Sequence, residues 1–395
     1  MLKGKCVVLG VTGSIAAYKI AYLASALVKL GADVNVIMTK NATNFINPIT
    51  FETLTSNKCL VDTFDRDFQF NVEHVALAKR ADIFMVAPAS ANVIGKMAHG
   101  IADDMLTTTI LAAKCKKLVS PAMNTNMFTN PIVQDNLETL KKYGFEIIQP
   151  ASGYLACGDT GAGKMPEPEV LLQYILKEIA FEHDLNGKKV MITAGPTQEA
   201  IDPVRYISNH STGKMGYAIA RAAMLRGAEV TLVSGPVAIE PPMFVDVVNI
   251  KSAAEMADVV KSKAGEMDII IKSAAVADYR PVNVAAEKIK KKDGEAAAIE
   301  LERTEDILSF LGANKKPGQF ICGFSMETEN MLENSKAKLK KKNVDMIVAN
   351  NLRTAGAGFG TDTNVVTLIT AENARELPIM SKDDVAQAIL DEIVK

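Results

Sequence analysis

Two doubly wound α/β domains in tandem are the fold class this sequence predicts, and three observations carry that expectation. Lys5–Leu9 is a short apolar strand, Gly10–Ser14 turns it into a helix running to Leu30, and Gly31–Ala32–Asp33 leads into a second strand, Val34–Met38. A strand, a glycine turn, a helix and a strand in that order make a parallel pair with a right-handed crossover. The arrangement recurs at mid-chain: Val190–Ala194 is apolar and stops at Gly195–Pro196, a helix covers roughly Gly213–Arg226, and Val230–Ser234 is the next strand. Finally, 395 residues are too many for one core and fit two domains of about 180 to 200 residues. The expected division is 1–186 and 187–395.

Composition narrows the function classes. With 48% apolar and 23% charged residues, both halves can bury a core. The net charge of −2 gives no electrostatic reason to expect nucleic acid or an anionic membrane as partner. No apolar run reaches the roughly 18 residues of a membrane span, and the start lacks a small-residue cleavage site after its apolar run, so a cytoplasmic location is expected. The five cysteines are scattered and contain no C-x-x-C. That argues against a disulfide framework or a zinc site, and a functional cysteine would act alone as a thiol.

In the first half, the GVTGS turn places backbone N–H groups and the hydroxyls of Thr12 and Ser14 where a phosphate could bind, although a tight turn without ligand explains it equally well. The spacing is not G-x-G-x-x-G and no acidic residue ends the second strand, which disfavours NAD. Asp82–Ala87 is a strand stopped by Pro88, followed by a loop of small and hydroxylated residues and then a helix. Lys117–Ser120 is the next strand, and it stops at PAMNTNMF, Pro121–Phe128. Ser90, Asn92 and Asn124 are thereby expected at one sheet edge, where doubly wound folds bind ligands. Gly153–Met165, GYLACGDTGAGKM, has the composition of a mobile lid.

The second half begins with a long polar loop, AGPTQEAIDPVRYISNHSTGKMG, holding Asn209, His210, Ser211 and Lys214. A Walker A site is absent because Met215 follows Lys214. Asp268–Ala274 is a buried strand, and the small residues after it would let a base or ribose approach the backbone near Asp278. A charge-rich stretch covers Glu287–Arg303. Two helices and three strands, Gln319–Ser325, Val344–Asn350 and Asn364–Thr370, lead to a final helix, Asp383–Val394. Lys338 and Lys342, spaced i, i+4 on a helix from Thr328, share one face.

These motifs carry a resemblance. PAMNTNMF resembles the P-x-M-N-x-x-M-W motif of flavin-containing cysteine decarboxylases, with Phe128 in place of Trp. GYLACGDTGAGKM resembles their substrate clamp, with Lys164 where Arg is commoner. GVTGSIAAYK, His74 and APASAN follow the same order. The second half, with its long loop, KSAAVADYRP and EKIKK, is similar to phosphopantothenate-cysteine ligase. Together they resemble the bifunctional decarboxylase/ligase family of coenzyme A biosynthesis over nearly the whole chain.

The resemblance implies a flavodoxin-like or Rossmann-like flavoprotein domain over 1–186 and a Rossmann-like nucleotide-binding domain over 187–395. The first would use FMN, held by Gly13, Ser14, Thr39, Ser90 and Asn92, to oxidise the thiol of phosphopantothenoylcysteine. The thioaldehyde so formed supplies the electron sink that cysteine lacks, and decarboxylation leaves an enethiolate that, once protonated at carbon, would take the hydride back from reduced flavin. His74 would be the acid-base residue, Asn124 the carboxylate ligand and Cys157 the proton donor. Taken alone, His74 is also an ordinary polar residue at a helix start, Asn124 a turn residue and Cys157 a small apolar side chain.

The second domain would join 4'-phosphopantothenate to L-cysteine through an acyl-cytidylate made from CTP with Mg2+, its metal ligands unassigned. Asn209 would contact the acyl-cytidylate and Lys288 the phosphate, although a solvated loop also explains the lysine run. The resemblance places Ser273, Ala274, Ala275 and Asp278 at CTP, with Phe324, Lys338 and Lys342. Glu305, Asp306, Ile307 and Leu308 fall on a P-D-I-V-like contact in which Glu305 replaces proline. It further implies a homo-oligomer, trimers assembled into a dodecamer with paired ligase domains. A flavin electron carrier without turnover, or a twin-domain nicotinamide enzyme, would share the fold. Flavin colour and CTP-dependent pyrophosphate release separate them.

Overall fold

Every residue of strand β1 (Cys6–Val11) is buried, which is why it reads as a continuous apolar run and not as an alternation. The computed structural model describes residues 1–63, 73–154, 158, 160–290, 298–327, 331–351 and 360–395. By internal contacts the chain divides into two compact units, Met1–Phe181 and Glu182–Lys395.

In the first unit, helix α1 (Ala17–Lys29) follows β1 and buries Ile20, Leu23, Ala24 and Leu27 as one stripe. Then come β2 (Asp33–Met38), α2 (Pro48–Thr55), α3 (Glu73–Arg80), β3 (Ile83–Ala89) and α4 (Ala91–Ala98). They are followed by α5 (Met105–Ala112), β4 (Lys116–Pro121), the single turn α6 (Thr125–Phe128), α7 (Pro131–Lys142) and β5 (Phe145–Ile147). A hairpin, β6 (Ala151–Tyr154) and β7 (Thr160–Lys164), precedes α8 (Pro168–Ile179). The sheet runs β2-β1-β3-β4-β5, all parallel. This is the flavodoxin-like order, with its ligand-binding switch point between β1 and β3. The loop expected after Pro88 is instead a helix almost at once, because the Ser90 hydroxyl accepts from Val93 N and caps α4.

The second unit opens with β8 (Lys189–Ala194), the hairpin β9 (Gln198–Ala200) and β10 (Tyr206–Ser208), and α9 (Lys214–Leu225). Next are β11 (Glu229–Ser234), β12 (Asp246–Asn249), α10 (Ala253–Ala264) and β13 (Ile269–Lys272). A second hairpin, β14 (Tyr279–Pro281) and β15 (Leu301–Arg303), leads to α11 (Ile307–Ala313), β16 (Phe320–Glu327), α12 (Met331–Lys342) and β17 (Met346–Asn351). The chain closes with β18 (Thr363–Asn364), β19 (Val366–Thr370), β20 (Ala374–Glu376), β21 (Met380–Ser381) and α13 (Lys382–Ile393).

Six strands run parallel in the order β12-β11-β8-β13-β16-β17, and β19 and β20 extend the sheet antiparallel. The switch point lies between β8 and β13. Two expectations are corrected here. Asn364–Thr370 is not one strand: Asn364 pairs with Met380 while Val366–Thr370 joins the large sheet, and the Asn364 side chain accepts from Val365 N at the break. The helix carrying Lys338 and Lys342 begins at Met331, and Thr328 lies outside the described residues.

Candidate active sites

At the first switch point the sequence places Thr12 just beyond β1 and Pro88–Ser90 at the end of β3. The Thr12 hydroxyl donates to Pro88 O at 2.7 Å and accepts from Ser90 N at 2.9 Å. It is fully buried, so it ties two strands together and is not offered to a phosphate, which corrects the expectation from sequence. Gly13 is required where it stands: a Cβ there would lie 2.8 Å from Asn41 Cβ.

Beside this edge opens a cavity of about 420 Å3 lined by Ser14, Tyr18, Lys19, Met123, Asn124, Tyr154, Gly163 and Lys164 among others. The hairpin is seated on PAMNTNMF by Met123 N donating to Gly163 O at 3.1 Å. Gly163 has φ +123°, and a Cβ would approach Met123 O to 2.3 Å, so this contact needs glycine. The Asn124 side chain accepts from Asn126 N at 2.8 Å and caps the single turn α6. Lys19 holds Glu167 at 2.7 Å with Lys164 at 3.7 Å, and the Lys19 hydrogen bond keeps the Glu167 carboxyl below the usual range.

Of the sequence-predicted residues, this cavity brings together Ser14 and Asn124. Thr39 is buried just after β2, where its hydroxyl accepts from Ala42 N at 3.3 Å, and Asn92 is exposed on the first turn of α4. His74 is half-buried on the first turn of α3 and, with Gly13, Thr39, Ser90 and Asn92, does not line the cavity. Cys157 lies outside the described residues. Burial pushes the thiols of Cys6, Cys59 and Cys115 up, Cys59 to about 12, and Cys322 likewise.

At the second switch point the strand ends are stitched by Ala275 N to Gly195 O at 2.9 Å and Ala277 N to Thr197 Oγ1 at 3.0 Å. Asn209 Nδ2 donates to Ala275 O at 3.0 Å, which joins the long loop to the end of β13. A cavity of about 230 Å3 lies here, lined by Asn209, Ser211–Gly216, Ser273–Ala275, Phe324, Asn350 and Lys382 among others. Gly213 caps α9 with φ +77°. Lys214 is held by Asp362 at 2.6 Å and by Gly360 O at 3.1 Å, and it keeps the Asp362 carboxyl low. Burial and the neighbouring Lys214 charge lower the Lys382 pKa. Asn350 Oδ1 is buried in this wall with no partner among the described residues.

Phe324 also lines a second cavity of about 390 Å3. It is lined by Asp278, Glu305, Asp306, Ile307, Leu308, Lys338 and Lys342, all named from the sequence, and by Lys272 and Arg303. Asp306 pairs with Lys342 and caps α11 through Ser309 N at 2.9 Å; burial raises its pKa, but Lys342 and that N–H hold it below the ordinary value. Glu305 turns to Lys261 of α10. Lys288 is exposed and lines neither cavity. Its neighbour Ile289 is anchored, N–H to Asp202 Oδ2 at 3.2 Å and C=O to Arg205 Nη2 at 3.0 Å. Lys19, Tyr154, Lys272, Arg303 and Lys382 were not foreseen; a lysine closing the all-isoleucine run of β13 was the one available signal. Among the described residues no three His, Cys, Asp or Glu side chains converge as a metal site. No helix among them is long and apolar enough to cross a membrane.

Residues 1–180 match the family described as Flavoprotein, and residues 185–395 the DNA/pantothenate metabolism flavoprotein C-terminal domain. The chain is 49% identical over 397 residues to the coenzyme A biosynthesis bifunctional protein CoaBC of Bacillus subtilis (strain 168), covering 100% of this chain and 97% of that one. It is 46% identical over 356 residues to a cysteine/cysteine sulfinic acid decarboxylase from an unknown prokaryotic organism, covering 88% and 99%. A crystal structure of the C-terminal domain of a CoaBC protein is 45% identical, with TM-score 0.47, covering 54% of this chain and 97% of that one.

Proposed function

The chain belongs to the family of coenzyme A biosynthesis bifunctional proteins, and on that premise we propose how its two units share the work. It is a phosphopantothenoylcysteine decarboxylase and a phosphopantothenate-cysteine ligase in one polypeptide, and its amino-terminal half is a flavoprotein. Residues 187–395 activate 4'-phosphopantothenate with CTP and Mg2+ and pass the acyl group to the amine of L-cysteine. Residues 1–186 then remove the carboxyl group with FMN and release 4'-phosphopantetheine. Both steps run in the cytoplasm.

One observation carries the decarboxylase reading: the hydrogen bond from Met123 N to Gly163 O seats the glycine-rich hairpin over Asn124 and Ser14 in a single cavity. The chemistry of the residues around the β1/β3 switch suits a flavin, since Gly13 has no side chain and Ser14 and Ser90 are small and polar. FMN, when bound, supplies the two-electron chemistry that makes loss of carbon dioxide possible. Gly13, Ser14, Thr39, Ser90 and Asn92 would hold it. Asn124 orients the substrate carboxylate, His74 moves the thiol proton, and Cys157 returns a proton to the product carbon. The high thiol pKa values of Cys6, Cys59, Cys115 and Cys322 support leaving that task to Cys157.

In the ligase, Asn209 holds the acyl group and Lys288 the phosphate charge, while the reactants are positioned at the β8/β13 switch. Ser273–Ala275 line one cavity there, and Asp278, Glu305–Leu308, Lys338 and Lys342 line the other, with Phe324 shared. Exposed Val204, Tyr206, Tyr279, Val282 and Leu301 on the two hairpins support pairing of this unit. Exposed Ile15, Tyr22 and Ile132 support assembly of the first unit into trimers and a dodecamer. Mass analysis of products from phosphopantothenate, cysteine and CTP tests the whole reading. Phosphopantetheine should form with CTP, phosphopantothenoylcysteine should be decarboxylated without it, and free cysteine should not itself be decarboxylated. A flavin-free preparation that still decarboxylates would refute the flavin assignment.

A further inference from the structure

Lys272 closes β13 after Ile269, Ile270 and Ile271. Residues 270 and 272 share a face of the strand, and Ile270 is packed in the core with Ile307, Leu308 and Leu339. Lys272 therefore points along that face into the cavity under α11 and α12, which it lines with Lys338 and Lys342. Its sheet neighbours cannot satisfy it: Gly323 has no side chain, and the Thr193 hydroxyl is engaged with Ala274 N at 3.1 Å. Lys342 has Asp306 and Ser309, and Lys338 has Ser325 Oγ at 3.3 Å. Among the described residues the Lys272 ammonium has neither a hydrogen bond nor an ion pair. Burial and the charges of Lys338 and Lys342 lower its pKa, while Asp306 and Asp278 oppose the shift from a distance.

Lys272 is half-buried and faces the cavity, so its ammonium, with no protein acceptor among the described residues, is placed to donate to an acceptor on a bound ligand. The remaining walls say which kind. Val276, Ile307, Leu308 and Phe324 suit a flat ring. Asp278 and Glu305 disfavour polyphosphate, whereas the adjoining cavity is lined by Lys214, Lys382 and the start of α9. We propose that Lys272 is a specificity-determining residue of the ligase, its ammonium donating to the O2/N3 edge of the pyrimidine of the activating nucleotide. In cytosine both atoms accept; in uracil N3 carries a proton and repels the donor. The inference rests on the CTP reading above.

Pyrophosphate release by the full-length chain against CTP and UTP tests it, in wild type, Lys272→Met, Lys272→Arg and Lys338→Met, with flavin absorbance and far-UV circular dichroism reporting folding. Lys272→Met should raise KM for CTP about tenfold or more with little change in kcat, because a hydrogen bond to a charged donor is lost. UTP should suffer less, so the preference for CTP narrows, and Lys272→Arg should show a smaller narrowing. An unchanged CTP KM in Lys272→Met, or equal losses for CTP and UTP as a phosphate contact would give, overturns the inference while Lys338→Met still raises KM. Should Lys272→Met not fold, an unchanged CTP/UTP ratio in Lys272→Arg overturns it. A wild type that consumes no CTP, or silence of both Lys272→Met and Lys338→Met, refutes the CTP site instead.

Discussion

Thr12 and Asp202 show how single side chains set the two site edges. The buried Thr12 hydroxyl accepts from Ser90 N and donates to Pro88 O. Thr12→Val keeps the shape and strands both groups, which costs about 1–3 kcal/mol per buried unsatisfied polar group. Urea unfolding followed by flavin absorbance should therefore show the first unit weakened while the ligase rate is kept. Asp202 accepts from Val204 N and Arg205 N at 2.8 Å, from Arg205 Nε at 2.9 Å and from Ile289 N at 3.2 Å. Arg205, first, and those N–H groups hold its carboxyl well below the usual range. A folded pKa below the unfolded one gives stability that is present above the ordinary carboxylate range and is lost as pH falls through the folded value. Asp202→Asn should flatten the acid limb of the denaturation midpoint against pH. It should also slow the ligase, because Ile289 adjoins Lys288.

At the scale of elements, α9 meets β8 through a glycine. A Cβ at Gly216 would lie 2.5 Å from Ala194 Cβ and 3.1 Å from Ala194 Cα. Helix propensity favours Gly216→Ala by about 1 kcal/mol, but overpacking against a backbone atom costs about 1–3 kcal/mol, so the clash decides. The variant should push α9 off the sheet, lower the melting temperature and raise KM for CTP, with decarboxylation of supplied phosphopantothenoylcysteine unchanged. Parallel strands were legible in the sequence because burial on both faces leaves an apolar run between glycines, as in Cys6–Val11 and Lys189–Ala194. The antiparallel break at Asn364 was not, since a side-chain hydrogen bond decides it. Asn124 and Asn209 were visible through their motifs. Lys19, Lys272 and Lys382 were hidden because a cavity is assembled from strands and helices far apart in sequence, and no periodicity reports which of their lysines face inward.

For the whole molecule, the chemistry requires the product of one unit to be the substrate of the other. Each unit has its own sheet and its own switch point, and among the described residues the three cavities at these switch points are each lined from one unit. With the described lining of each of these cavities drawn from one unit, the expected coupling is by mass action of a free intermediate. Cys157→Ser should abolish release of phosphopantetheine and leave CTP-dependent pyrophosphate release intact. Asn209→Ala should do the reverse, with CTP-dependent turnover down by about 100-fold, the scale of losing a group that positions the transition state. An equimolar mixture of the two full-length variants should then convert phosphopantothenate, cysteine and CTP to phosphopantetheine after a lag that shortens as total protein rises. The lag is the signature, because an intermediate that must leave one site and find another accumulates first. A mixture in which pyrophosphate release stops after about one equivalent per ligase site, with phosphopantothenoylcysteine still bound to protein and no phosphopantetheine formed, would mean that the intermediate is never released.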